Sequence, residues 1–229
     1  MTITELAPAK LNLTLDVGAR RPDGYHEITS VMQSAALYDV VTLETVETDD
    51  IVVECPGTDL PNGPDNLAWK AADVFFQETN ILRTGIFIRL EKKIPSQAGL
   101  GGGSSDAAAV LRGMRRLFGA NVSDEALETM AARVGSDVPY CVRGGTALAR
   151  GRGERLTALS PLPMCWFVIV KPPVAHSTAV MFRKLDEIVI ANRPDSDAMA
   201  KALEIGDLGV LIYGDEGEGT LKRYIQRGN

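Results

Sequence analysis

Cysteine, histidine and tryptophan are scarce in the 229 residues, numbering three, two and two. Cys55, Cys141 and Cys165 are odd in number, far apart and without metal-ligand spacing; they read most simply as reduced thiols in a cytoplasmic protein. His26 and His176 stand 150 residues apart, which argues against a histidine metal cluster. No apolar run approaches the roughly 18 residues of a membrane helix. The opening Met1–Pro8 has no basic stretch followed by an apolar core, so no secretion signal is expected. Charge of one sign is also lacking: the net value is only −6, with 24% charged and 45% hydrophobic residues. No global field favours nucleic acid or a membrane surface, and any anionic ligand has to be held locally.

Glycine is abundant, and one stretch concentrates it. Ile86, Ile88 and Leu90 alternate with Phe87, Arg89 and Glu91 as in a strand, whereas Ala107, Val110, Leu111, Met114, Leu117 and Phe118 recur at helical spacing. Between them, Lys92 to Asp106 carries glycine at 99, 101, 102 and 103 and serine at 104 and 105. A glycine loop entering a helix lets the backbone approach a ligand, and the first N–H groups of that helix suit a phosphate. The Walker A pattern is absent, and a dinucleotide fingerprint counted from Gly99 would need glycine where Ser104 stands. The loop is therefore a third kind, or a glycine-rich connection into a well-capped helix.

Along the rest of the chain, Leu11, Leu13, Leu15 and Val17 predict one face of an early strand, with Lys10, Asn12 and Thr14 on the other. Pro22-Asp23-Gly24 is a turn that presents Tyr25 and His26 side by side. Residues 44–65 are acidic and turn-rich, and Asp65-Asn66 opens a helix burying Leu67, Ala71, Val74 and Phe75. Arg112, Arg115 and Arg116 read as a solvated helix face. A helix entered at Ser123 should end at Gly135 in a left-handed conformation. Asp137 then precedes an expected apolar strand, Val138 to Val142. Gly144-Gly145 and Gly151-Arg152-Gly153 mark turns, 156–162 a domain junction, and Cys165 to Val170 a buried strand of a second domain. Ala198 to Leu203 suits a helix.

Three segments together resemble the GHMP family of small-molecule kinases: Ala7 to Leu13 with Arg20 to His26, Ile94 to Asp106, and Gly135 to Pro139. The resemblance implies an α+β, two-domain fold with the substrate cleft between domains. Residues 1–158 would be the nucleotide-binding domain and 159–229 a shortened C-terminal domain. It implies ATP and Mg2+ as cofactors and an alcohol acceptor linked to cytidine diphosphate. Lys10 and Asp137 would be catalytic. Pro95, Gly99, Leu100, Gly101, Gly102, Gly103, Ser104 and Ser105 would hold the nucleotide, with Ser105 on the metal and Asp106 capping the helix, its carboxylate turned away. Asn12, Tyr25, His26, Thr178 and Phe182 would hold the acceptor, with Tyr25 and Phe182 on either side of the base. The expected protein is a monomer or weak dimer. The family's C-terminal Gly-Ser-Gly-Pro run is missing, and Gly214 to Gly219 carries three carboxylates in its place, so the C-terminal domain is expected to be incomplete or altered.

Overall fold

The computed structural model describes residues 1–171, 181–182, 185–187, 190 and 192–206. The chain divides into two compact units. The first comprises Met1–Leu11, Ser34–Ser96 and Leu100–Gly144; the second comprises Asn12–Gln33, Gln97–Gly99 and the described part of 145–229. Among the described residues no helix is long and apolar enough to cross a membrane.

In the first unit, strand β1 (Thr2–Asn12) pairs with the long strand β3 (His26–Val46). β3 also pairs antiparallel with β5 (Gly85–Glu91), from Val40 opposite Glu91 to Val46 opposite Gly85. β4 (Ile51–Glu54) runs parallel to β5, a strand hidden from the sequence reading within the acidic, turn-rich stretch. Helix α1 (Leu67–Glu78) starts as expected, with the Asn66 side chain accepting from the Ala68 N–H. Helix α2 (Gly102–Leu117) is buried along most of its length, including Ala107 to Leu111, Met114 and Leu117. Small side chains allow this close seating: a Cβ on Gly113 would lie 2.2 Å from Leu43 Cδ1 of β3.

Helix α3 (Asp124–Val134) is capped by Ser123 and buries Leu127, Met130, Ala131 and Val134. It does not end in a left-handed glycine. Gly135 is extended at φ −178°, and its carbonyl accepts from the Val138 N–H, leading the chain into another helix. That helix, α4 (Val138–Arg143), replaces the expected strand. Pro139 lies in its first turn, where a missing N–H costs nothing, and a short apolar run does not by itself distinguish strand from helix.

In the second unit, β2 (Asp16–Arg20) pairs antiparallel with the first part of β3, with an irregularity between Val17 and Arg20. β6 (Thr146–Gly151) pairs with Ile28 to Gln33 of β3 and, through the expected turn at 151–153, with β7 (Arg155–Ala158). Helix α5 (Ser196–Ile205), capped by Asp195, contributes Ala202 and Leu203 to a small core with Val31 and Leu148. Cys165 to Val170 is not a buried strand. Trp166 is 77% and Val168 87% exposed, and among the described residues the segment makes no more than an isolated bridge at Trp166. Without a neighbouring ladder to satisfy its N–H and C=O groups, apolar composition alone does not make a strand.

Candidate active site

Lys10 is placed twice over. Its backbone N–H donates to the Leu100 carbonyl at 2.9 Å, and its Nζ lies 3.2 Å from Asp137 Oδ2. The lysine side chain is only 8% exposed and the aspartate 32%. A buried ammonium is costly without a partner, and Asp137 supplies one because its carboxylate is not used to cap α4. The elements carrying this pair are tied by Arg112. From α2 its guanidinium donates to the Leu6 and Cys141 carbonyls at 2.9 and 2.8 Å and pairs with Glu5. Arg112 is thus a brace between β1, α2 and α4 rather than part of a solvated face. Arg115 and Arg116 pair with Asp124 and Glu5. Burial pushes the Cys141 thiol up to about 12, with the Asp137 carboxylate adding to the effect, so it stays neutral.

Beside Lys10 the glycine loop becomes α2. Gly101 precedes the helix at φ +67°, and no side chain caps the helix. The first-turn N–H groups of Gly102, Gly103 and Ser104 therefore begin a helix whose N-cap residue offers them no side-chain acceptor and whose end carries partial positive charge. Gly103 is exposed, Gly102 and Ser104 half-buried, Pro95 and Gly99 exposed, and Leu100 buried. Ser105 is fully buried, and its hydroxyl donates to the Pro8 carbonyl at 2.7 Å. It fastens α2 to β1.

Asp106 does not cap the helix. Its carboxylate is buried and bonded by Lys92, whose Nζ also reaches Asp39. Asp39 in turn accepts from the Lys93 N–H and, at 2.8 Å, from the Ile94 N–H. Burial raises Asp106 to about 7; Lys92 opposes that rise and Asp39 reinforces it. Burial alone would lower Lys92, but the carboxylates of Asp106 and Asp39 outweigh it and hold the ammonium above its ordinary value. Sequence reading missed this cluster, and the one available signal was a lysine next to a loop that ends in an aspartate.

The remaining predicted residues belong to the second unit. Asn12 Oδ1 accepts from the Ser30 hydroxyl at 3.3 Å. Tyr25 is 50% exposed, with the Arg152 guanidinium 4.9 Å from its ring centre. His26 is buried, its Nε2 lies 2.7 Å from Asp186 Oδ1, and the Phe182 ring packs on it at 5.2 Å with a 36° tilt. A cavity of about 170 Å³ adjoins them, lined by Val17, Gly18, Ala19, His26, Asp186 and Arg193 among others. Thr178, His176 and residues 214–219 lie outside the described residues. Among the described residues no three His, Cys, Asp or Glu side chains gather in a metal-binding group.

Comparison with known proteins gives a consistent set of relatives. A family model described as the GHMP kinases N terminal domain matches residues 66–145. A 4-diphosphocytidyl-2-C-methyl-D-erythritol kinase of Exiguobacterium sibiricum is 47% identical over 211 residues, covering 92% of this chain and 73% of the relative. The enzyme of the same name from Caldicellulosiruptor saccharolyticus is 44% identical over 202 residues, covering 88% and 69%. A crystal structure of a 4-(cytidine 5'-diphospho)-2C-methyl-D-erythritol kinase superposes with a TM-score of 0.67 at 35% identity, covering 89% of this chain and 72% of that one.

Proposed function

Since the chain belongs to the GHMP kinase family, we propose that it transfers the γ-phosphoryl group of ATP to the 2-hydroxyl of 4-diphosphocytidyl-2-C-methyl-D-erythritol, a step in non-mevalonate isoprenoid biosynthesis. On this reading the nucleotide is held by the first compact unit, Met1–Leu11, Ser34–Ser96 and Leu100–Gly144, which carries both the Lys10–Asp137 pair and the start of α2. The observation that carries the reading is the Lys10–Asp137 pair, whose lysine is bonded through its backbone to the loop that opens an uncapped helix.

On this reading the triphosphate lies against the N-terminus of α2, where the backbone N–H groups of Gly102, Gly103 and Ser104 meet its charge, and Gly99 and Gly101 keep side chains out of the way. The acceptor hydroxyl approaches Asp137. Its oxygen bonds to the γ-phosphorus, the bond from that phosphorus to the bridging oxygen of ADP breaks, and the hydroxyl proton passes to the Asp137 carboxylate. Lys10 offsets the negative charge on the reacting oxygens. In a loose transition state the nucleophile needs little deprotonation, so the chief work of the pair is orientation and charge stabilisation.

On the same reading Tyr25, His26 and Phe182 hold the cytosine, with Asn12 as a polar contact; Thr178, assigned to the same substrate, lies outside the described residues. His26 Nε2 is engaged by Asp186, which leaves Nδ1 to accept from an exocyclic amine. Magnesium accompanies ATP and takes its ligands largely from phosphate oxygens and water. Ser105 does not fit as its protein ligand, because the hydroxyl is buried and given to Pro8.

The test is ADP release with the diphosphocytidyl alcohol, homoserine and mevalonate as acceptors, for the parent and for Asp137→Ala. Turnover is expected with the first acceptor alone, and Asp137→Ala should lower it by roughly 10²–10⁴-fold while ATP still binds. Turnover of homoserine or mevalonate but not the cytidine compound would reject the substrate assignment. Tight ATP binding without turnover of any alcohol would reject the kinase reading.

A further inference from the structure

The two ends of the glycine loop are fastened at one buried point that the phosphoryl-transfer scheme leaves unused. Lys92 leaves β5 at the start of the loop, and Asp106 lies 14 residues on, in α2. Asp39 of β3 joins both through Lys92 and also holds the Lys93 and Ile94 N–H groups. The first helical residue rests on the same point: a Cβ on Gly102 would lie 3.5 Å from Asp39 Oδ2 and 3.2 Å from Ile94 Cγ2. Stability alone does not account for such a cluster. Two carboxylates face one ammonium, with both carboxylates buried and the lysine side chain 9% exposed, and among the described residues Asp106 Oδ1 has no hydrogen-bond partner. Apolar side chains of similar volume commonly stabilise a core as well or better. Charged, directional contacts instead fix where backbone segments lie.

We propose that Asp39, Lys92 and Asp106 form a clamp that sets the shape of the glycine loop before the nucleotide arrives, making Lys92 and Asp106 positioning residues for phosphoryl transfer. None of the three touches the reacting atoms. Between the fastened ends the chain passes through positive φ at Gln97, Gly99 and Gly101, conformations that a loosely tethered segment would leave. Holding them in advance removes the ordering cost from nucleotide binding. The role in catalysis rests on the kinase reading above; the clamp itself does not.

Asp106→Asn keeps the shape of the side chain and removes its charge, and Lys92→Arg keeps the charge. Amide hydrogen exchange of the free proteins reads the clamp without any nucleotide. In Asp106→Asn, exchange at Leu100 to Ser104 should quicken by about tenfold while β3 and β5 stay protected. Lys92→Arg should restore part of the protection that Lys92→Met loses. Steady-state kinetics read the consequence: for Asp106→Asn the KM for ATP should rise on the order of tenfold, with the KM for the alcohol within about twofold of the parent. Unchanged exchange in a folded Asp106→Asn protein would overturn the clamp. Equal rises in both KM values together with a fall in melting temperature would reduce it to a packing role. Quickened exchange in a protein that never turned over ATP would leave the clamp standing and overturn the kinase reading with the catalytic role.

Discussion

The main-chain N–H of Lys10 is bonded to the carbonyl of Leu100, so the residue whose ammonium faces Asp137 also carries the glycine loop on its backbone. The next residue of the loop closes on the same side chain: a Cβ on Gly101 would lie 2.6 Å from Lys10 Cγ. Loop and lysine are therefore one mechanical unit.

That contact predicts the effect of Gly101→Ala. The substitution meets both an unfavourable φ of +67° and a side chain that has to move, displacing the ammonium from Asp137. Gly119→Ala is the control, with φ +57° and nothing within 4 Å. Both should lose about 1–2 kcal/mol of stability from backbone strain. Gly101→Ala alone should also lose turnover, on the order of 100-fold, because an ångström of misplacement at the reacting centre is enough. Equal activity in the two purified variants would show that the close approach to Lys10 has no catalytic weight.

A second substitution separates structural from ligand roles within the loop. Ser105→Ala removes the hydroxyl that donates to the Pro8 carbonyl, and losing this hydrogen bond should cost about 0.5–1.5 kcal/mol. ATP affinity, titrated by calorimetry in the presence of magnesium, should remain that of the parent. A loss of ATP affinity with an unchanged melting temperature would reverse the assignment and make Ser105 a ligand after all.

These residues show how far local chemistry in the sequence reaches. The starts of α1 and α3 were legible because Asn66 and Ser123 signal within a few residues of the N–H groups they accept from. The entry to α2 was legible as a glycine loop, but not its supports. Lys92 and Asp39 are 53 residues apart, and Asp106 was expected to cap the helix only because a carboxylate is awkward beside a phosphate. Val138 to Val142 and Cys165 to Val170 are alike as apolar runs, yet one is a buried helix and the other an exposed, irregular segment. Tertiary neighbours decided both. Lys10 and Asp137 could be paired only through the family resemblance, since nothing in the alternation of β1 or in the sequence around Asp137 says that they meet.

Burial lifts Asp106 from the usual carboxylate range to about 7, which gives stability a definite pH dependence. A carboxyl that holds its proton more tightly in the folded chain contributes stability that is complete below its unfolded value, about 3.9, and is lost as pH rises through its folded value. Between those limits Asp106→Asn, which cannot titrate, should gain on the parent by on the order of 1 kcal/mol per pH unit. Urea unfolding of both proteins at several pH values across this window measures the difference. Parallel stability curves would mean that Asp106 stays ionised throughout and that Lys92 neutralises it fully.

The acceptor side is tested most directly at Tyr25. Its ring is half exposed, with the Arg152 guanidinium over it. Stacking of a base on an aromatic ring is worth about 1–3 kcal/mol, so Tyr25→Ala should raise the KM for the cytidine-linked alcohol by roughly 5- to 150-fold and leave that for ATP within about twofold. Tyr25→Phe keeps the ring and should stay close to the parent. Arg152→Ala removes the support but not the ring, and should fall between the two. Similar changes in both KM values for Tyr25→Ala would place the effect in the fold of the 20–26 turn, where Arg21 bonds Asp23 and Glu27, and would remove the ring from the base site.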